Sequence, residues 1–288
     1  MRTIVTRPVS RPYRSTALVS IAVLVLLLAL LLSACSGPFQ TTPGSGIPAA
    51  IAAGTREVDF AGYRGTPQSL PGDMFVEGEN GAGVTIADGY EPFAGVYRYE
   101  GDPDARFSGF AAASEAGSSQ VSFAIRERGE ADLRNARLFY PYTNTTRYTI
   151  AGFRVHYYVE VWFVGVRDNR IRLKYHTDTS GFGDIDDIVS TPNPRLAEYP
   201  VFGIGFAVNG REAQNRTLVQ TEFLLPSDQQ LQPGEKAWFR WQYSNGVYDD
   251  GESRSALGIS DIVIEPIIHS ERSSYYHHST RAPGWPGR

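Results

Sequence analysis

Residues 153–163 read Phe-Arg-Val-His-Tyr-Tyr-Val-Glu-Val-Trp-Phe, and this stretch decides the fold class. The odd positions Phe153, Val155, Tyr157, Val159, Val161 and Phe163 are all apolar or aromatic. The even positions are Arg154, His156, Tyr158, Glu160 and Trp162. Successive side chains of a strand point to opposite faces, so the pattern predicts a strand with one core face and one polar-aromatic row. The next stretch repeats it, with Ile171, Leu173 and Tyr175 alternating with Arg172, Lys174 and His176. Asp168-Asn169 between the two predicts a tight hairpin, which would set the two polar rows side by side.

The same signal extends outward. Segments 120–126, 137–142, 148–166, 170–177, 201–209, 218–225, 237–243 and 257–265 are rich in Val, Ile, Tyr, Phe, Trp and Thr, and Gly, Pro, Asn and Asp divide them. No long stretch has the 3.6-residue period of an amphipathic helix. Many short strands at this spacing predict an all-β, antiparallel, jelly-roll-like sandwich over residues 55–268.

The ends have a different character. Arg2, Arg7, Arg11 and Arg14 precede an apolar run over 17–32, which closes in Ser33-Ala34 before Cys35. A basic start, a short apolar core and small residues form a secretion signal. The competing reading, a transmembrane anchor, wants about 20 apolar residues to cross the hydrocarbon core, and this run is shorter. Residues 36–54 are small, Pro/Gly-rich and almost uncharged, as expected of a flexible tether. Residues 269–288 lose all alternation and read as a disordered tail; the solvated His277-His278 pair there lacks the four ligands of a structural metal site.

Leu32-Ser33-Ala34-Cys35 resembles the lipobox of bacterial lipoproteins. The resemblance implies diacylglycerol on the Cys35 sulfur, cleavage before it and acylation of the new amino terminus. Residues 1–34 would then be the signal peptide and 35–54 the anchor and tether. Buried acyl methylenes contribute about 0.8 kcal/mol each, one chain holds only marginally, and several hold firmly. Ser36, not Asp, follows the cysteine, which resembles the pattern sent to the outer membrane, so an outer-membrane or cell-surface location is expected over the inner membrane. Cys35 is the only cysteine, so the domain has no disulfide and no thiol nucleophile.

Loss of the four signal arginines takes 27 basic residues to 23 against 31 acidic ones, a net charge of −8 with His neutral. That argues against nucleic acid, whose binding needs cations on phosphates.

A second resemblance covers roughly residues 137–266. Tyr142-Thr143-Asn144-Thr145-Thr146, then Tyr148-Thr149-Ile150, Glu160-Val161-Trp162, Arg170 to Tyr175, Trp238-Phe239-Arg240-Trp241 and Ala256 to Ile262 follow one another as in exported bacterial jelly-roll domains. These concanavalin-like or MAM-like sandwiches are similar to one another in fold and in extracytoplasmic setting, and they host unrelated sites. Ser260 stands where such domains carry the first acid of a closing pair, so a structural metal site built on that acid is not expected here.

The polar row Arg154, His156, Tyr158, Glu160 and Trp162 is the candidate ligand-binding face, with rings to stack on sugars and charges to bond hydroxyls. The competing reading is a packed layer, with Glu160 paired to an arginine and Trp162 under a loop. Trp238 and Arg240 share one face, and Phe239 and Trp241 the other, so one tryptophan belongs to the core. Asp178, Asp184, Asp186 and Asp187, and Asp249, Asp250 and Glu252, could supply oxygens to calcium, but neither run has the spacing of a calcium hand. No other cofactor is expected. The G-x-S-x-G elbow, H-E-x-x-H, phosphate-loop and dinucleotide motifs are absent from the sequence. The leading expectation is a non-catalytic, lipid-anchored binding or adhesion module for glycan or another envelope component. A carbohydrate-active enzyme using two carboxylates and a structural lipoprotein binding protein through a sheet edge are the alternatives.

Overall fold

The computed structural model describes residues 46–78, 93–127, 135–167, 169–177, 185–193, 205–245 and 253–268. The segments read as signal peptide, lipobox and C-terminal tail lie outside the described residues. Helix α1 spans Gly46–Gly54, so chain expected as tether is helical from Gly46 onward. Thirteen strands follow among the described residues: β1 Arg56–Val58, β2 Phe75–Glu77, β3 Phe93–Tyr99, β4 Gly109–Glu115, β5 Ser122–Arg126, β6 Arg137–Thr143, β7 Ile150–Val164, β8 Asn169–His176, β9 Ile185–Pro192, β10 Phe206–Ala207, β11 Arg216–Leu224, β12 Lys236–Asn245 and β13 Ala256–Ile268.

They form a β-sandwich. The larger sheet runs β10-β7-β13-β5-β4-β3, with β11 also on β7 and β1 also on β13; the smaller runs β2-β6-β12-β8-β9. All pairs are antiparallel except β3–β4, which is parallel. The odd residues of β7 face inward as expected as far as Val161: Phe153, Val155, Tyr157, Val159 and Val161 are fully buried in the main core. Phe163 does not, and joins the second cluster beside Trp162, because a register shift against β13 between Ala256 and Leu257 breaks the alternation there. Rings from the smaller sheet meet them edge-on, Phe239 against Phe153 at 5.0 Å and Trp241 against Tyr157 at 5.8 Å. Trp241 is therefore the core tryptophan of its strand, and Trp238 is half-buried on the other face.

The expected hairpin between β7 and β8 does not form. β7 pairs with β13 and β11, while β8 pairs with β12 and β9. The connection carries the chain from one sheet to the other. Gly165 lies against the backbone of residues 253–255, where a Cβ would have no room. The amides of Val166 and Arg167 both donate to the Ser253 carbonyl, and the Ser255 amide donates to Asn169 Oδ1. A hairpin and a sheet-to-sheet arch both keep the apolar residues of the two strands on the core side, so alternation cannot separate them. The polar rows of β7 and β8 consequently lie on opposite outer faces of the sandwich, not side by side.

The bounds of the other expected strands agree to within a few residues, apart from 201–209. There only Phe206–Ala207 is a strand among the described residues. Strand β4, Gly-Phe-Ala-Ala-Ala-Ser-Glu, carries no β-branched residue and gives no sequence signal. Its alanines are buried on both faces, Ala112 in the main core and Ala111 and Ala113 in a second cluster outside the larger sheet.

Candidate functional site

The even residues of β7 form rows with their neighbours across the outer face of the larger sheet. Arg154 lies between Glu222 of β11 and Glu265 of β13; His156 between Gln220 and Val263; Tyr158 between Leu218 and Ser260; Glu160 between Arg216 and Gly258. The first two residues are exposed, the third is half-buried, and Glu160 and Trp162 are wholly buried. The expected row is thus divided between an open end and a covered end.

At the open end Arg154 bonds both flanking carboxylates, Nε to Glu222 at 2.7 Å and Nη1 to Glu265 at 2.8 Å. Such exposed pairs contribute little to stability, but they fix the guanidinium and cancel two acids. Beside it, a groove of about 380 Å³ is lined by Glu57, Asp59, His156, Tyr158, Leu218 and Gln220, among others. A second hollow of about 330 Å³, lined by Arg154 and Glu222, shares His156 and Gln220 with it. Leu218 remains 45 % exposed on the groove. A bulge in β13 between Ser260 and Val263 shapes this floor, with Asp261 in the left-handed region at φ 50°.

At the covered end both carboxylate oxygens of Glu160 are held. Ser260 Oγ donates to Oε1 at 2.7 Å and Ser122 Oγ donates to Oε2. Arg216 Nε and Arg211 Nη1 each reach Oε1 at 3.1 Å. Arg216 also pairs with Asp261 and stacks over the Tyr158 ring at 3.4 Å from its centroid. Two acids and two guanidiniums thus neutralise one another, Glu160 and Arg211 beneath the surface and Asp261 at it, which satisfies the condition for burying the Glu160 charge. Glu160 is a structural carboxylate in this arrangement and does not face an open cleft.

Trp162 is covered by the segment before β11. Its carbonyl accepts from the Val208 amide at 3.1 Å, and Tyr97 meets its ring edge-on at 6.3 Å. Ala111, Ala113, Ala124 and Ala256 leave room for the indole. Gly210 and Gly258 close over it: a Cβ on Gly210 would lie 2.5 Å from the ring and one on Gly258 2.7 Å from Nε1. The reading of Trp162 as a sugar-stacking ring is corrected by this burial. Sequence reasoning missed Glu57, Asp59, Leu218 and Gln220, because each reaches the groove only through strand register.

Of the acids weighed for calcium, Asp186 and Asp187 lie in β9, not in a loop. Asp178, Asp184, Asp249, Asp250 and Glu252 lie outside the described residues. Among the described residues no three His, Cys, Asp or Glu side chains cluster as metal ligands.

No protein-family model matches the chain, and no curated protein does. Among solved structures it is similar to the K3 cleaved adhesin domain of Lys-gingipain from Porphyromonas gingivalis, at 15% identity over 57% of this chain and 85% of that one, with a TM-score of 0.32. The K1 cleaved adhesin domain of the same protein matches at 10% identity over 73% of this chain and 97% of that one, with a TM-score of 0.34. The enzymatically active domain of tailspike protein 4 of bacteriophage CBA120 matches at 10% identity over 51% of this chain and 16% of that one, with a TM-score of 0.27. Likenesses this distant say nothing about what the present chain binds.

Proposed function

We propose that this chain is an exported, lipid-anchored binding module that holds a glycan or another envelope component in the outer-face groove of the larger sheet, without catalysis. The observation that carries the reading is the groove at His156 and Gln220, an open concavity with amide, imidazole, carboxylate and aliphatic groups around it. Such a mixture of a few polar groups and apolar wall is the usual make-up of a ligand site. Arg154 and Arg216 are committed to neighbouring acids, while Glu57 and Asp59 have no ion pair among the described residues. A neutral or cationic ligand rich in hydroxyls fits this rim better than a polyanion. Glu160, the carboxylate of the β7 polar row, is occupied by two serines and two arginines. The proposed anchor rests on the Leu32-Ser33-Ala34-Cys35 motif, and export with it would carry the groove out of the cytoplasm.

Glycan arrays and pull-downs against envelope polysaccharide, with the full-length protein in detergent, test this function. Binding that weakens in His156→Ala and Gln220→Ala is expected. Silence of the intact protein in both assays overturns it.

A further inference from the structure

A cavity of about 270 Å³ lies away from the outer-face groove, between β3–β4 and the segments on either side of them. Register explains its wall. Val96 pairs with Ala112 and Arg98 with Ser114 across the parallel strands, and these four side chains share the inward parity of Ala112, which belongs to the main core. The segment after β1 supplies Tyr63 and Arg64, and the β4–β5 turn supplies Ser118 and Ser119. The polar lining is two guanidiniums, three serine hydroxyls and one phenol, with no acidic residue, in a chain that is acidic overall.

Two observations give this lining a direction. Among the described residues neither Arg64 nor Arg98 has an acidic partner; Arg64 Nη1 donates only to the carbonyls of Ala61 and Tyr63, at 2.8 and 2.9 Å, which fixes its position. Ser114 is buried beside Arg98.

We propose that this cavity is a binding site for an oxyanion group, the carboxylate of an acidic sugar or a free sulfate-like anion, held by Arg64 and Arg98 with the Ser114 hydroxyl donating. Its size is just below the roughly 300–1,000 Å³ of ordinary small-ligand pockets, which suits one sugar unit or an inorganic anion. The site is independent of the outer-face groove and stands if that groove proves inert.

The test is isothermal titration of the full-length protein in detergent, at low ionic strength, with sodium glucuronate, sodium sulfate and glucose in turn. Heat from glucuronate with none from glucose is expected. An accompanying response to sulfate assigns a simple anion site, and glucuronate alone assigns a sugar acid. Arg98→Gln, at an exposed position that leaves the core untouched, should weaken anion binding by about tenfold or more, the worth of one charged hydrogen bond. Silence with both anions, equal binding of glucose, or an Arg98→Gln protein that binds as the parent does, overturns the proposal.

Discussion

Glu160 sits at the centre of a buried group whose members depend on one another. Its removal would leave Arg211, with its side chain 8% exposed, facing Arg216 without the carboxylate between them. Breaking a buried ion pair from one side costs about 3–5 kcal/mol, and partial exposure of Arg216 sets the expectation for Glu160→Ala at the lower end, about 3 kcal/mol. Urea denaturation followed by circular dichroism measures this; a change below about 1 kcal/mol, typical of surface pairs, would show that the cluster is solvated. Gly210 gives a second prediction at this scale. A methyl 2.5 Å from the Trp162 ring must displace the segment or the indole, so Gly210→Ala should cost about 1–3 kcal/mol and shift tryptophan emission to longer wavelength. An unchanged spectrum and midpoint would contradict the close cover. Sequence shows Glu160 and Trp162 as members of an alternating row, and both readings of that row, open site and packed layer, fit the same letters. Gly210 and Arg211, on the segment before β11, and Ser122 of β5 bury them, and these come from two parts of the chain far from β7.

Helix α1 is joined to the sandwich at its end. The Tyr142 hydroxyl donates to the Gly54 carbonyl at 2.8 Å, and Arg56 lies 5.6 Å from the Tyr142 ring centroid. Burial pushes the phenol up to about 12, with the Arg56 charge opposing. A raised folded-state value means that the unfolded chain ionises first, near pH 10. The stability from Tyr142 is therefore complete below about pH 10 and is lost as pH rises through about 12. Tyr142→Phe should cost about 1 kcal/mol at neutral pH and flatten the fall in stability on the alkaline side, measured as urea midpoints against pH. A variant whose alkaline profile matches the parent would place the titration elsewhere. The helix itself, Gly-Ile-Pro-Ala-Ala-Ile-Ala-Ala-Gly, was legible only as small and uncharged residues, a composition shared by linkers and by short docked helices. Strand β4 was hidden for a related reason: alanine has no preference for the pleated surface, and only packing between two cores makes this segment extended.

At the scale of the whole molecule, one acylated residue is proposed to hold the sandwich on a membrane. Cys35→Ser should move the protein from the detergent phase to the aqueous phase in a partition assay and remove the lipid mass from the mature amino terminus. Equal partition of the two forms would count against the anchor. The sandwich depends on rings that cross between sheets, Phe153 to Phe239 and Tyr157 to Trp241, and their alternation is written plainly in the chain. Period-two patterning by itself determined that these segments are strands and which side of each is buried, because that depends only on local geometry and on apolar surface leaving water. It did not determine which strands pair. A hairpin and an arch bury the same residues, and the bonds at Ser253, Ser255 and Asn169 that choose the arch join positions far apart in sequence. Register then decided the rest. It set Glu57, Gln220 and Leu218 beside His156 and put Arg98 beside Ser114, contacts that exist only after distant strands have been brought together.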